Sequence, residues 1–295
     1  MERLADEIKT FLQDNDLQYV TLHKKGFNII QTCTHDSLRK RMILPIEISA
    51  RNVVEAEKKS KQAADLTQQI LSETGDYPLI ITEDRWRRHR EIMEKRMLAH
   101  LETFRQAYAR NCEVRRIDKV QAQTFLADTH SYGDASCRYR YGLFLKRYTG
   151  ASLKGIDNSA DASNWREREG TLVAVATFSN ARRWIKDGKV ICSYEWTRYA
   201  SLPDFRINGG MGKVLKAFIE EVNPDDIMSY ADLEWSTGAA YQNLGFTLEG
   251  HKDPVTFGIN VSDWSRKPVS PDMEADFFFQ NFGSNKYRLK LTDYR

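Results

Sequence analysis

The sequence predicts an α/β protein of the α+β type, arranged as two domains, and three observations predict it. The chain has 295 residues, more than one compact core usually organises, since domains run to about 100–200 residues each. Short runs rich in β-branched and aromatic residues alternate with charged runs of helical period throughout its length, which is the pattern of mixed sheet and helix. The order of those runs also changes midway: helix, three strands, helix, strand in the first half, and strands gathered around a glycine-rich helix start in the second.

Each element follows from its own pattern. In "RLADEIKTFLQD", Leu4, Ile8, Phe11 and Leu12 recur at helical intervals, so one face can be buried. "LQYVTL" and "FNIIQTC" flank "HKKG", and "MILPIEIS" follows; the three read as short strands. "VVEAEKKSKQAADLTQQILSE" is a long helix of good formers closed by Gly75, and "YPLIIT" is a buried strand. From Arg85 to about Arg110 one basic helix is expected, so the predicted boundaries are 1–84, a linker helix 85–111, and a second domain 112–295. That second domain opens with the strand "CEVRRI" and the helix "KVQAQTFLADTH". "YRYGLFLK", "GTLVAVATFS" and "ICSYEWTRYA" suit a mostly antiparallel sheet flanked by helices. The polar stretch between Tyr148 and Glu169 reads as a long loop, and it would help shape an acceptor pocket. "DDIMSYADLEW" is a further strand, "STGAAYQNLGF" a short helix capped by Ser236 or Thr237, and the tail from Thr247 holds several more strands.

Composition removes several classes of function. With 41% hydrophobic and 29% charged residues, 16 glycines and 7 prolines, the chain is neither disordered nor collagen-like. No run approaches the roughly 20 apolar residues of a membrane span, and the charged start does not resemble a secretory leader, so a cytoplasmic location is expected and no membrane partner. Cys33, Cys112, Cys137 and Cys192 lack a CxxC spacing, which argues against a disulfide framework and against a zinc site; no metal is expected. A net charge of +3 is too small to demand a nucleic-acid partner by itself. Nothing in the composition fixes an oligomeric state.

"RINGGMGKVLKAFIEEV" carries the chemistry. Glycines at the mouth of a helix leave main-chain N–H groups facing open space, and the helix dipole favours an anion there. Asn208, Gly209, Gly210, Met211, Gly212 and Lys213 are therefore the candidate binding residues for a phosphate-bearing ligand. In this order of strands and helices the second half resembles the GNAT family of acyl-CoA-dependent N-acyltransferases. Gly210, Gly212 and Leu215 match the family's G-x-G-x-x-L, while Ile207 stands where the family has Arg or Gln, with Arg206 one residue off. "AAYQNLGF" matches its later tyrosine segment. The resemblance implies acetyl-CoA, or another acyl-CoA, as cofactor and an amine-bearing acceptor attacking directly in a ternary complex. It implies Tyr241 as proton donor to the departing thiolate. Such a reaction needs a general base for the amine, and Glu195, Asp232 and Glu234 are the candidates, the last two sharing a face by strand alternation.

A narrower resemblance extends over both halves. Ser229, Tyr230, Ala231, Asp232, Trp235, Ser236, Gly238, Tyr241, Leu244, Gly245 and Phe246 fit a segment of the GNAT-like domain that phage and mobile-element proteins carry. In those relatives it lies behind a very-short-patch-repair-like or homing-endonuclease-like nuclease domain. It implies a PD-(D/E)xK fold for the αβββαβ half. Asp36 and Glu47 have the spacing of a metal pair there, but Ser49 stands at the position of the required Lys, so that half reads as degenerate. The basic cluster Arg85, Trp86, Arg87, Arg88 and Arg90 could then contact phosphates and stack on a base of DNA or RNA. Two functions follow from the sequence: an N-acyltransferase, and a nucleic-acid-binding or nucleic-acid-modifying protein.

Overall fold

A computed structural model of the protein describes residues 3–33, 39–146, 153–154, 170–203 and 205–293. The first elements are α1 (Leu4–Asp14), β1 (Tyr19–Lys24), β2 (Phe27–Cys33), β3 (Lys40–Ile46), α2 (Val53–Thr74), β4 (Leu79–Thr82), α3 (Glu83–Arg88) and α4 (Arg90–His100). Next come β5 (Phe104–Tyr108), β6 (Cys112–Arg116), α5 (Lys119–Thr129), β7 (Tyr139–Leu145), β8 (Leu153–Lys154), β9 (Leu172–Phe178), β10 (Arg182–Lys186), β11 (Lys189–Ser201) and β12 (Phe205–Asn208). The chain closes with α6 (Gly210–Val222), β13 (Asp226–Asp232), α7 (Ala239–Gln242), β14 (Thr247–Lys252), β15 (Thr256–Asn260), β16 (Ser265–Pro268), β17 (Phe277–Gln280) and β18 (Ser284–Lys290). The fold is α+β.

The chain divides into two compact units, and the division is not the sequential one expected. Unit 1 is residues 1–102 together with 231–237 and 251–285; unit 2 is 103–230, 238–250 and 286–295. The boundaries at 84 and 111 are thereby corrected. No single helix links two halves: α3 breaks at His89, whose φ of −131° and ψ of 45° leave the helical region, and α4 ends at His100. Beyond it, Phe104–Tyr108 form a strand parallel to β12. Sheet pairing overrides the helical reading of those residues, as tertiary context often does.

In unit 1 the expected αβββαβ order is present. β1, β2 and β3 form an antiparallel meander, and α2 crosses over to set β4 parallel to β3. Neighbouring residues feed opposite faces, as strand geometry requires. Ile30, Ile43 and Ile81 pack with α1 and α4 on one side. Ile29, Leu44 and Ile80 pack with α2, Ile259 and Phe279 on the other. The second of these cores needs β15 and β17, whose sheet runs β16-β15-β17, and this is why the late segment belongs to the early unit.

Unit 2 is built on an eight-stranded sheet of order β14-β18-β13-β11-β9-β7-β6, with β10 joined to β11. The pairs β6–β7, β7–β9 and β9–β11 are antiparallel, whereas β11 and β13 run parallel. α6 covers one face through Phe218, which stacks on Phe178 with ring centroids 3.9 Å apart. α5 covers the other through Ala122 and Leu126, against Val175 and Ala200.

Candidate functional site

The site in unit 2 starts where two strands part. The parallel ladder of β11 and β13 runs only from Ser193↔Asp226 to Glu195↔Met228. One residue later the register of β11 against β9 slips between Trp196 and Arg198, a bulge that bends the strand away. At this vertex the Trp196 carbonyl is met by a side chain, Ser229 Oγ, at 2.9 Å. The same Oγ lies 2.8 Å from the Tyr241 hydroxyl. Ser229 has one hydroxyl proton and a carbonyl can only accept, so the consistent assignment has Ser229 donating to Trp196 and Tyr241 donating to Ser229.

Tyr241 is held there by α7. Its N-cap is Gly238 at φ +89°, where a Cβ would come 2.3 Å from the Tyr287 ring, so neither Ser236 nor Thr237 caps the helix as expected. Tyr241 stacks on Tyr287 and meets Trp196 edge-on at 6.1 Å. Burial of the phenol pushes its pKa up and the Glu195 charge adds to this, against the pull of Ser229 and Arg198. At neutral pH the hydroxyl therefore keeps its proton. Glu195 is half-buried; its main chain exchanges hydrogen bonds with Ser179, its carboxylate makes no hydrogen bond or ion pair among the described residues, and Arg198 donates to the Gly133 and Thr197 carbonyls.

The glycine loop reaches this vertex through a chain of contacts. Gly209 is the N-cap of α6 at φ +76°, and no side chain caps the helix. Lys213 N–H is the first to find a partner, the Gly209 carbonyl. The N–H groups of Gly210, Met211 and Gly212 are thus the orphan donors of a helix start, the arrangement that suits an anion. A Cβ on Gly210 would lie 2.7 Å from the Tyr199 hydroxyl, and Tyr199 in turn meets Trp196 edge-on at 6.0 Å. Gly212 faces Leu244, just past α7, where a Cβ would be 3.3 Å away. A groove of about 510 Å³ continues from Gly212 past Lys216, Ile219 and Asn243. Asn208 ends β12 beside Tyr108. Lys213 is corrected as a direct ligand: its ammonium donates to the Ala109 and Cys112 carbonyls and so ties down the first turn. Ile207 is buried beneath Gly210, and Arg206 lies over the Phe104 ring.

Asp232 and Glu234 do not join this site. β13 ends at Asp232, so the alternation that placed both carboxylates on one strand face does not extend to Glu234. Both belong to unit 1, where Arg85 bonds Asp232 and Glu234 at 3.1 Å each. Arg266 clamps Glu234 and Asp84, with contacts from 2.5 to 3.1 Å, and also bonds Thr82. Burial works to raise the Asp84 pKa, but the charge and hydrogen bonds of Arg266 hold it below the usual value. Arg96 lies 3.6 Å over the Trp235 ring and bonds the Trp235 carbonyl. A carboxylate held this way is structural.

The basic cluster is corrected for the same reason. Trp86 is 0% exposed and donates to Glu7, so it cannot stack on a base. Arg85 is buried, Arg87 pairs with Glu7 and Glu83, and Arg90 pairs with Glu7 and Glu94 while covering Trp86. Arg88 and Arg90 are the exposed members, and Arg88 lies 3.9 Å from Asp263. Asp36 and the loop from Tyr148 to Glu169, apart from the backbone of 153–154, lie outside the described residues. Glu47 and Ser49 are exposed, and Ser49 accepts a hydrogen bond from Lys59 at 3.0 Å. No described helix is long and apolar enough to cross a membrane.

Sequence reasoning missed Ser229 as a partner of Tyr241 and Tyr199 as the contact of Gly210. Neither had a local signal, because both depend on which strands diverge.

No family model matches the chain, and no curated protein matches it. Among solved structures, it is similar to a GNAT-family acetyltransferase from Bacillus anthracis at 11% identity, covering 61% of this chain and 95% of that one, with a TM-score of 0.31. It is also similar to ribosomal-protein-S5-alanine acetyltransferase from Vibrio fischeri, at 10% identity, 63% and 96% coverage and a TM-score of 0.35. A third is yncA from Salmonella typhimurium, whose structure contains acetyl-CoA as its cofactor, at 15% identity, 62% and 95% coverage and a TM-score of 0.31.

Proposed function

We propose that unit 2 is an acyl-CoA-dependent N-acyltransferase that moves an acetyl group to an amine. The observation that carries this reading is the vertex at Glu195 and Met228, where a parallel strand pair opens and a protonated Tyr241 is held by Ser229 at its apex. An extended thioester cofactor can lie along such an opening while its phosphates meet a helix start, and the contacts from Gly210 through Tyr199 and Trp196 to Tyr241 join those two places.

Acyl-CoA supplies an acyl group activated as a thioester, with a thiol to leave. The residues of this chain do the rest. The N–H groups of Gly210, Met211 and Gly212 would receive the pyrophosphate, and Gly209 lets the backbone turn there without strain. The groove past Lys216 and Asn243 has room for the nucleotide end. Tyr241 holds the proton the leaving sulfur needs, and Ser229 keeps that hydroxyl in place. Glu195, with no ion-pair partner among the described residues, is the group best placed to take the amine's proton, directly or through water.

The test is binding followed by turnover. Acetyl-CoA should raise the melting temperature of the full chain, by the equivalent of about 2.7 kcal/mol at one hundred times its Kd. Free thiol should then appear when a panel of amines is added. Absence of any shift with acetyl-CoA and with free CoA would overturn the reading.

A further inference from the structure

The β10–β11 hairpin is a feature of unit 2 that acyl transfer does not use. Between Arg182 and Val190 it carries Arg182, Arg183, Lys186 and Lys189 against one carboxylate, Asp187, an excess as large as the +3 of the whole chain. Asp187 and Gly188 turn it with φ of 49° and 75°, the two left-handed residues of a tight hairpin, and so fix its register. The pairs are Arg182↔Ser193, Trp184↔Ile191 and Lys186↔Lys189, which puts Arg182, Trp184, Lys186 and Lys189 on one face. Two lysines directly opposite one another repel, and neither they nor Arg182 form an ion pair among the described residues.

Trp184 is a fixed platform in the middle of that charge. Its ring is 39% exposed, yet its Nε1–H donates to Ser193 Oγ at 2.9 Å, and Ser193 donates to the buried Asp226 at 2.7 Å. Asp226 is in turn held by Arg288. An exposed aromatic ring anchored to the core loses little freedom when a partner covers it. Cations stand one step before and one step after it along the strand, each step spanning about 7 Å.

We propose that this face binds single-stranded nucleic acid, with a base stacked on Trp184 and phosphates met by Arg182, Lys186 and Lys189. An acidic peptide would satisfy the cations but make no use of the ring. A bilayer would need exposed aliphatic side chains beside these cations, but Ile185 and Val190 lie on the opposite face, with Arg183, and Ile191 on this face is buried. The proposal stands on the hairpin alone and holds whether or not unit 2 transfers acyl groups.

Fluorescence anisotropy of the full chain with labelled oligothymidylate and oligouridylate tests it. Three phosphate contacts predict a slope of log K against log salt near −2, hence a loss of roughly 20-fold in affinity between 50 and 200 mM salt. The triple variant Arg182→Ala, Lys186→Ala, Lys189→Ala should abolish binding at unchanged melting temperature. Trp184→Ala should weaken it roughly 5- to 100-fold and Trp184→Phe much less, as loss and retention of a stacking ring require. Three outcomes overturn the proposal: no binding at low salt, binding unchanged in the triple variant, or equal binding of polyglutamate or of anionic vesicles.

Discussion

Ser229 and Tyr241 show how much of the proposed chemistry rests on single atoms. Tyr241→Phe removes the proton but keeps the ring against Tyr287 and Trp196, so acetyl-CoA binding should persist while kcat falls roughly 10²- to 10⁴-fold. Ser229→Ala leaves the phenol in place without its anchor and leaves the Trp196 carbonyl unmet, so kcat should fall less and the melting temperature more. Steady-state kinetics beside thermal melts separate the two, and equal losses of kcat would deny Ser229 a positioning role. His100 supplies a pH prediction in unit 1. Burial, with the charges of Arg41 and Arg96, pushes its pKa down from the ordinary 6.5 to about 4. Between those values the unfolded chain binds the proton and the folded chain does not, so stability is full above pH 6.5 and is lost as pH falls toward 4. The slope approaches about 1.4 kcal/mol per pH unit. In His100→Gln this part of the acid loss should disappear from melts taken across the window.

At the scale of elements, the start of α6 is where conformation and binding meet. Gly209 sits at φ +76°, a region that costs an L-residue roughly 1–2 kcal/mol, and a Cβ there would also touch Ala109 at 3.5 Å. Gly210→Ala acts differently, because its methyl group meets the Tyr199 hydroxyl and Ile207. Gly209→Ala should therefore lower the melting temperature by a few degrees with acetyl-CoA affinity weakened. Gly210→Ala should lower both further, since its clash displaces the loop from Tyr199. Isothermal titration with acetyl-CoA reads the affinities, and unchanged values in both variants would remove the loop from the site. Most elements were legible because each follows from a local pattern: Leu4, Ile8 and Leu12 mark α1, and Gly75 ends α2 in the left-handed conformation that glycine favours. The β10–β11 hairpin was also there to be read, in the Asp187-Gly188 pair between "RRWIK" and "KVICS". The break at His89 had no such mark.

Across the whole molecule, unit 1 is completed by chain that arrives after unit 2 has begun. Arg85 is buried against Asp232 and Glu234, Arg96 lies over the Trp235 ring, and the α2 core includes Ile259 and Phe279. A fragment of residues 1–102 would leave the buried Arg85 without its carboxylates, Arg96 without the Trp235 ring and carbonyl, and part of one core uncovered. Breaking such a pair costs about 3–5 kcal/mol, a large part of a domain's stability. That fragment should accordingly lack a cooperative thermal transition by circular dichroism, although it spans the entire αβββαβ order.

The α+β class, the helices α1, α2, α5 and α6, the strands β1 to β4 and the glycine loop with its later tyrosine could be read from the sequence, because periodicity, turn chemistry and caps act over a few residues. The fold alone sets Asp232 and Glu234 in an ion-pair network, buries Arg85 and Trp86 of the basic cluster, and brings Ser229 to Tyr241. Each of those depends on which distant segments share a buried space, and whether a charge is paired or presented is settled there, by desolvation, rather than by its neighbours along the chain.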